Sequence, residues 1–239
     1  MSLKLFVFDI AGTTIVDNDE LLACFIDTCE RVGITASKQR LNALMGVSKL
    51  EVFFQLWKEQ LGPETTSVEI KKKADDSYEL FKVIIEQYYA NATLLPTKGA
   101  LDIFSWARSR GLKIALNTGF YRKVAEIILL KIGWLPLGPT SPIDYLICSD
   151  EVPAGRPKPF MIQNIMNHFG IEDPQCIIKV GDTPVDLMEG RNANCLLSLG
   201  VTNGTHRLEE LRLYDNDGLL PSLSELPAFL VDKGVFTTI

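Results

Sequence analysis

A short apolar run that ends in a carboxylate stands near the start of the chain and constrains the fold most. Residues 3–7 read Leu-Lys-Leu-Phe-Val, and residues 8–14 read Phe-Asp-Ile-Ala-Gly-Thr-Thr. An apolar run of this length, followed by a loop with Gly and Thr, is typical of a buried strand. In an open parallel α/β sheet, ligands bind beyond the carboxyl ends of the strands. We therefore expect Asp9 to stand at the mouth of a site, although an Asp that only starts a turn would fit this one segment.

Composition and charge exclude several classes of partner. The chain has 239 residues, of which 46% are hydrophobic and 23% charged, and its net charge is −6. This charge leaves no basic surface for nucleic acid. No apolar run approaches the length of about 20 residues that spans a bilayer, so we expect no membrane contact. The chain enters a strand at once, without a signal peptide, and its five scattered cysteines fit reduced thiols, so we expect a cytoplasmic protein.

Strand-like apolar runs alternate with helical patterns in the second half of the chain. After the first strand, such runs end near Thr118, Cys148, Asp182 and Leu199, and helical segments with short links separate them. This alternation favours right-handed βαβ units and a doubly wound parallel sheet, here with five strands. We interpret the residues from Asp215 onwards as a peripheral segment.

Residues 17–92 carry helical periodicity and no strand pattern. One long helix is predicted from about Ser67 to Ala90, and Ser48 with Glu51 predicts a capping box at the start of another helix. We therefore expect residues 17–92 to form an inserted helical domain, and residues 1–16 and 93–239 to form the α/β core. An insertion directly after the Asp9 loop is suited to act as a lid over the site.

Polar residues follow the carboxyl ends of the predicted strands, and their chemistry is coherent. Asp9 and Asp182 offer the hard oxygen ligands that suit Mg²⁺. Thr118 precedes a helix, and a hydroxyl and backbone N–H groups at a helix start bind phosphoryl oxygens. Arg156 or Lys158 adds a positive charge that can neutralise a phosphate or hold the nucleophile. An aspartate in such a site can attack phosphorus and form an aspartyl phosphate.

The set of motifs resembles that of the haloacid dehalogenase superfamily. The matching segments are residues 9–14, the strand that ends at Thr118, residues 155–157 (Gly-Arg-Pro) and residues 181–186 (Gly-Asp-Thr-Pro-Val-Asp). The resemblance implies a Rossmann-like core with a helical cap over residues 17–92. It also implies that Asp9 is the nucleophile, that Asp9, the Ala11 carbonyl and Asp182 bind Mg²⁺, and that Asp186 supports this site. The residues that it implies for phosphate binding are Gly12, Thr13, Thr118, Gly119 and Arg156. The implied partner is a small phosphorylated or phosphonate metabolite.

Ala11 departs from the pattern of the family's phosphatases, which carry there an Asp that protonates the leaving alkoxide. General acid–base help is worth about 10²–10⁴-fold, so a leaving group that needs no such proton fits Ala11 better. The phosphonoacetaldehyde hydrolase branch of the superfamily has Asp-x-Ala-Gly-Thr-Thr, as here, and cleaves a C–P bond through a Schiff base on a cap lysine. Residues 45–49, Met-Gly-Val-Ser-Lys, are similar to that branch's Met-Gly-x-x-Lys segment, which puts Lys49 at the imine position.

Several alternatives stay open. Lys49 can instead hold the substrate as a cation, or be a bystander, and the branch's cap histidine has no counterpart among residues 50–53. The rival functions are a phosphomonoesterase and a non-catalytic protein that binds a phosphorylated metabolite. The spacing to Gly155 and Pro157 favours Arg156 over Lys158 as the cation. The family can form homodimers through cap helices, and the sequence does not decide this point.

Overall fold

A computed structural model describes residues 3–236 and has a parallel β-sheet at its centre. The strands are β1 (Leu5–Phe8), β2 (Lys113–Thr118), β3 (Tyr145–Cys148), β4 (Ile177–Gly181), β5 (Leu197–Val201) and β6 (Gly218–Leu220). They lie in the order β3-β2-β1-β4-β5-β6, and each neighbouring pair runs parallel. The predicted doubly wound α/β fold is confirmed, and β1 lies inside the sheet, so Asp9 follows a fully buried strand.

Strand β6 corrects the prediction that the residues from Asp215 onwards are peripheral and that the sheet has five strands. In β6, Gly218 pairs with Leu199 of β5, and the strand extends the sheet at that edge. Three residues that begin with glycine carry no alternating pattern, so only the contact with β5 makes this segment a strand. Residues 1–2 and 237–239, which we assigned to the core, lie outside the described residues.

Alternate residues of β1 face two different hydrophobic cores. Phe6 and Phe8 belong to the larger core, where the Phe8 ring meets Phe104 edge-on at 5.4 Å between centroids. Leu5 and Val7 belong to a second core on the opposite face. The helices of this part are α5 (Ala100–Arg108), α6 (Arg122–Lys131), α7 (Phe160–Phe169), α8 (Pro184–Asn192), α9 (Leu208–Leu211) and α10 (Leu226–Asp232).

Residues 17–92 contain the helices α1 (Glu20–Val32), α2 (Lys38–Ala43), α3 (Lys49–Leu61) and α4 (Ser67–Asn91). Three phenylalanines from α1, α3 and α4 pack together with ring centroids 4.6–5.6 Å apart: Phe25, Phe53 and Phe81. The predicted capping box at the start of α3 is wrong, because Ser48 makes no side-chain cap bond. The Glu51 carboxylate instead accepts a hydrogen bond from Gln55 within the helix, at 3.0 Å.

The structure also bears on the predictions about the cysteines and about a membrane. All five cysteines are free and buried, as expected for reduced thiols. Within residues 3–236, no helix combines the length and the apolar character that crossing a membrane requires.

Candidate active site

Asp9 stands directly after β1, where its backbone is fixed on both sides. Its N–H donates to the carbonyl of Val180 on β4 at 3.0 Å, which extends the parallel ladder by one residue. The chain then turns sharply, because the N–H of Thr14 donates back to the carbonyl of Ile10 at 2.9 Å. Gly12 in this turn has φ +82°, and a Cβ there would overlap the Asp182 carboxylate. The glycine therefore lets the loop after β1 approach the end of β4 closely.

Arg156, and not Lys158, is the cation that contacts Asp9. Arg156 Nη1 lies 2.8 Å from Asp9 Oδ1, and both side chains are almost completely buried. The same nitrogen contacts Asp186 Oδ1. Lys158 is exposed. Of the two cations that the sequence left open, Arg156 is thus the one that is buried and in contact with Asp9.

Asp182 and Asp186 approach Asp9 from the loop after β4 and from the first turn of α8. One carboxylate oxygen from each of these three residues lies within 4.8 Å of the others. Asp182 Oδ1 accepts from the Thr13 hydroxyl at 2.9 Å, and its Oδ2 accepts from the backbone N–H of Thr205 at 2.7 Å. The structure therefore brings together residues that are more than 170 positions apart in the sequence, from two strand ends.

The three carboxylates differ in their acidity because their partners differ. Burial raises the pKa of Asp9 to about 7, against the opposing charge of Arg156. Burial and the negative charge of Asp186 raise the pKa of Asp182 to about 6. For Asp186, the positive charges of Arg156 and Lys179 outweigh burial and hold the pKa at about 2. Arg156 and Lys179 thus favour the ionised form of Asp186, whereas burial and like charge oppose ionisation of Asp9 and Asp182.

Thr118 and Gly119 lie at the end of β2, next to the Asp9 loop. Thr118 is 2% exposed, and its hydroxyl accepts a hydrogen bond from the N–H of Phe120 at 3.1 Å. A Cβ at Gly119 would lie 2.7 Å from the carbonyl oxygen of Gly46. The glycine therefore allows the loop before α3 to pack directly on the loop after β2.

Lys49, the first residue of α3, reaches into the same site. It is 2% exposed, and its Nζ lies 5.6 Å from the centre of the Phe25 ring and 5.4 Å from that of Phe120. Among the described residues, none forms a hydrogen bond or an ion pair with this amine. Burial and the nearby charge of Arg156 lower the pKa of Lys49 to about 8, against the opposing charge of Asp9.

A small cavity connects these groups. Its volume is about 20 Å³, which is close to the space that one water molecule needs. Both the core and the helical segment line it, with Asp9, Ala11, Leu21, Met45, Gly46, Lys49, Thr118, Gly119, Phe120, Arg156, Thr183 and Thr205. Gly12 and Thr13 contact Asp182 instead of lining this cavity, so their predicted contact with phosphate stays a prediction.

Sequence reasoning missed part of this site. Thr205 follows β5 in the segment Thr202-Asn203-Gly204-Thr205 and holds Asp182 through its backbone N–H. A glycine-containing loop after a strand at the same sheet edge was a usable signal for it. Phe25 and Phe120, which flank Lys49, read as ordinary core residues, and no signal in the sequence distinguishes them.

The comparisons with known proteins agree with this geometry. A family model described as haloacid dehalogenase-like hydrolase matches residues 3–194. The chain belongs to this family. The resemblance that the motifs indicated is thereby confirmed, and the protein is a haloacid dehalogenase-like hydrolase whose curated relatives include phosphonoacetaldehyde hydrolases.

Individual relatives of this haloacid dehalogenase-like hydrolase carry names from several branches. The phosphonoacetaldehyde hydrolase of Bacillus cereus (strain B4264) is 30% identical over 100% of this chain and 92% of the relative. Among solved structures, a phosphonoacetaldehyde hydrolase-like protein from Oleispira antarctica matches with a TM-score of 0.78 at 19% identity, over 97% of this chain and 92% of the other. A β-phosphoglucomutase from Clostridium difficile matches with a TM-score of 0.72 at 19% identity, over 98% and 97%. The two structural matches support the fold alone.

Proposed function

We propose that this hydrolase cleaves the C–P bond of phosphonoacetaldehyde or a related small phosphonate that carries a carbonyl group. The observation that carries the proposal is the burial of Lys49 in the same small cavity as Asp9, where Ala11 stands in place of a general acid. A lysine that only held substrate from the surface would keep its amine in water. The 30% identity to a phosphonoacetaldehyde hydrolase over the whole chain supports the same reaction.

In this proposal, residues 17–92 act as a cap that closes over the α/β core. The helical segment supplies Leu21, Met45, Gly46 and Lys49 to the cavity, and the core supplies its other lining residues. A cavity of about 20 Å³ is too small for a phosphonate, so the cap opens to admit substrate. The tight contact of Gly119 with the Gly46 carbonyl belongs to the closed form.

The residues at the sheet edge fit a Mg²⁺ ion. Asp9 and Asp182 are buried carboxylates whose pKa values burial raises to about 7 and about 6, so a nearby divalent cation would favour their ionised forms. We propose that these two carboxylates and the Ala11 carbonyl hold the ion. Asp186 is occupied by Arg156, Lys179 and Thr183, which suits a supporting position. When bound, the ion would neutralise charge on the phosphoryl oxygens.

The first proposed step takes place at Lys49. Its neutral amine attacks the aldehyde carbon of the substrate, and the resulting carbinolamine takes up one proton from solvent and loses water, which leaves a protonated imine. Burial lowers the pKa of Lys49 to about 8, so a useful fraction of the amine is neutral near neutral pH. The rings of Phe25 and Phe120 lie beside the amine and favour its cationic forms, including the iminium ion.

The second proposed step takes place at Asp9. A carboxylate oxygen of Asp9 attacks phosphorus, and the C–P bond breaks with its electron pair moving into the iminium ion to give an enamine on Lys49. Arg156 is 2.8 Å from Asp9 and holds the nucleophile in position. The departing carbon needs no proton from residue 11 at this stage. Water then hydrolyses the aspartyl phosphate, and protonation and hydrolysis of the enamine release acetaldehyde.

The test is borohydride reduction during turnover. Purified protein with Mg²⁺ is mixed with phosphonoacetaldehyde, sodium borohydride is added, and the modified peptide is identified by mass spectrometry while phosphate release is measured in parallel. We expect a reduced adduct on Lys49 and substrate-dependent phosphate release. Turnover of the phosphonate without an adduct on Lys49 would contradict the imine mechanism.

The phosphomonoesterase alternative gives a different result. It predicts phosphate release from p-nitrophenyl phosphate or sugar phosphates and none from phosphonoacetaldehyde. A non-catalytic binding protein would bind phosphorylated ligands without turnover, and Asp9→Asn would leave that binding unchanged. The proposed function requires phosphonate turnover to exceed ester turnover.

A further inference from the structure

A second lysine, Lys179, is buried under the proposed site and takes no direct part in the mechanism above. It lies on β4, opposite Val7 of β1, and is 0% exposed. Burial of an ammonium group is costly unless it is paired and hydrogen-bonded. The partners of Lys179 therefore indicate what this group is for.

The three partners of Lys179 come from two elements, β2 and α8. Its Nζ donates to Asn117 Oδ1 on β2 at 2.7 Å and lies 2.8 Å from Asp186 Oδ1 on α8. It also lies 3.6 Å from Glu189 Oε2. Asn117 Nδ2 donates to that same Glu189 oxygen at 2.7 Å. We call these four residues, Asn117, Lys179, Asp186 and Glu189, the buried polar network.

Strand register explains why this network lies under Asp9. Phe8 pairs with Leu116 and with Val180, so the next residue, Asp9, is level with Asn117 on one side of β1. Val7 is level with Lys179. Because Val7 precedes Asp9 by two residues, these two residues lie on the same face of β1. Asn117 and Lys179 thus bridge across β1 on the face that carries Asp9.

The network contacts the proposed site through Asp186. Asp186 Oδ2 accepts from the Thr183 hydroxyl at 2.6 Å, which holds one side of the carboxylate. Asp186 Oδ1 is shared by Lys179 Nζ and Arg156 Nη1. Arg156 uses the same Nη1 for Asp9, so one guanidinium nitrogen lies between two carboxylates that compete for it.

We propose that Lys179 is a positioning residue that shares Asp186 with Arg156 and thereby lets Arg156 Nη1 keep its contact with Asp9, which holds Asp9 in line for attack on phosphorus. Without Lys179, Asp186 would lose a charged partner in a buried place and would attract Arg156 more strongly. Arg156 would then shift away from Asp9. Asn117 and Glu189 keep the long Lys179 side chain directed at Asp186. The expected loss of C–P cleavage rests on the proposed function. The expected effect of Lys179 on phosphoryl binding at Asp9 does not, because it holds for any reaction at this site.

The test compares two chemical steps in Lys179→Met. Borohydride trapping of phosphonoacetaldehyde measures the Lys49 step, and single-turnover phosphate release measures the Asp9 step. We expect trapping within about twofold of the wild type and phosphate release reduced about 10–100-fold, the scale for losing a group that orients a site residue. A merely structural role would lower both in proportion to the folded fraction.

A binding measurement makes the test independent of the substrate. Orthovanadate, added with Mg²⁺, mimics the five-coordinate phosphorus of the transition state. Its affinity for the protein is measured by calorimetry. We expect Lys179→Met to weaken vanadate binding at least about tenfold. Ile178→Ala is the matched control, because Ile178 is a neighbouring residue of the same strand that is buried in the other hydrophobic core. It should lower stability and leave vanadate affinity unchanged.

A double variant covers the case in which Lys179→Met fails to fold. Lys179→Met/Glu189→Met removes both members of a buried pair, so no uncompensated partner charge stays at Glu189, and stability should recover. Vanadate affinity should stay at least about tenfold weaker. Wild-type affinity in a folded Lys179 variant, or no measurable vanadate binding to the wild type, overturns the proposal. If the wild type binds vanadate but traps no imine, the proposed function is refuted. The vanadate affinities of the wild type and the Lys179 variants then still test the role of Lys179.

Discussion

The core side and the helical side of the small cavity surround their charged groups with different kinds of neighbours. On the core side, Asp182 and Asp186 each accept hydrogen bonds on both carboxylate oxygens. On the helical side, Lys49 is surrounded by the rings of Phe25 and Phe120, and no described residue hydrogen-bonds its amine. One side is a network of hydrogen-bonded charged groups from several elements, and the other is a single buried amine beside two aromatic rings.

This difference follows from what each group has to do in the proposed reaction. A nucleophile and its supporting carboxylates must keep a fixed geometry, and hydrogen bonds from several elements provide it. An amine that forms an imine must be able to lose its proton, and burial without a partner favours the neutral form. We therefore infer that the core carries out phosphoryl transfer, whereas Lys49 of the helical segment, together with Ala11 of the core, determines which bond breaks.

Removal of the nucleophile from the core side should have the largest effect. We expect Asp9→Asn to lower phosphate release by about 10⁴-fold or more, because the attacking oxygen is lost. Borohydride trapping on Lys49 should persist, since the imine step uses the other side of the cavity. Single-turnover assays with and without borohydride check this. Loss of trapping together with phosphate release would contradict the separation of the two sides.

Removal of the amine from the helical side should have the next largest effect. Lys49→Arg keeps a positive charge but cannot form an imine, so we expect phosphonate turnover to fall about 10²–10³-fold, as when a group that stabilises transition-state charge is removed. Vanadate affinity should stay near that of the wild type. If Lys49→Arg retained most of the phosphonate turnover, Lys49 would be a substrate-holding cation.

A carboxylate introduced at residue 11 tests whether the absence of an acid there disfavours ester hydrolysis relative to C–P cleavage. We expect Ala11→Asp to raise the turnover of a sugar phosphate, whose alkoxide leaving group needs a proton, by about 10-fold or more, within the range for general acid–base help. Phosphonate turnover should not rise, because the enamine carbon needs no such acid as it leaves. Ala11→Asn is the matched control of similar size and should leave ester turnover unchanged. Equal ester turnover in both variants would contradict the prediction.

The smallest expected effect concerns the aromatic surroundings of Lys49. The pKa of Lys49 is lowered to about 8, so the rate of trapping should rise with pH until about pH 8 and then level off. Phe120→Leu keeps the amine buried but removes one ring that favours the cation, a loss of about 0.5–2 kcal/mol. The midpoint should therefore move down by about 0.4–1.5 pH units. Trapping profiles of the two proteins measure this, and an upward shift would contradict it.

The sequence was sufficient for the family and for the order of the first five strands and the helices of residues 17–92. Periodic apolar patterns and glycine-containing loops predicted β1, the helices of residues 17–92 and the alternating second half, because these signals are local. They did not predict β6, whose three residues become a strand only by pairing with β5. The capping box at Ser48 failed although its pattern was present, since the side chain makes no cap bond in the folded chain.

The sequence by itself determined that Asp9 follows a strand, that Ala11 stands beside it, and that the chain has the motifs of a haloacid dehalogenase-like hydrolase. Only the tertiary structure decided that Arg156 and not Lys158 contacts Asp9, and that Lys179 lies beneath the cluster. The physical reason is distance along the chain. Arg156 Nη1 and Asp9 Oδ1 are 2.8 Å apart although 147 positions separate the residues, and no local pattern encodes such a contact.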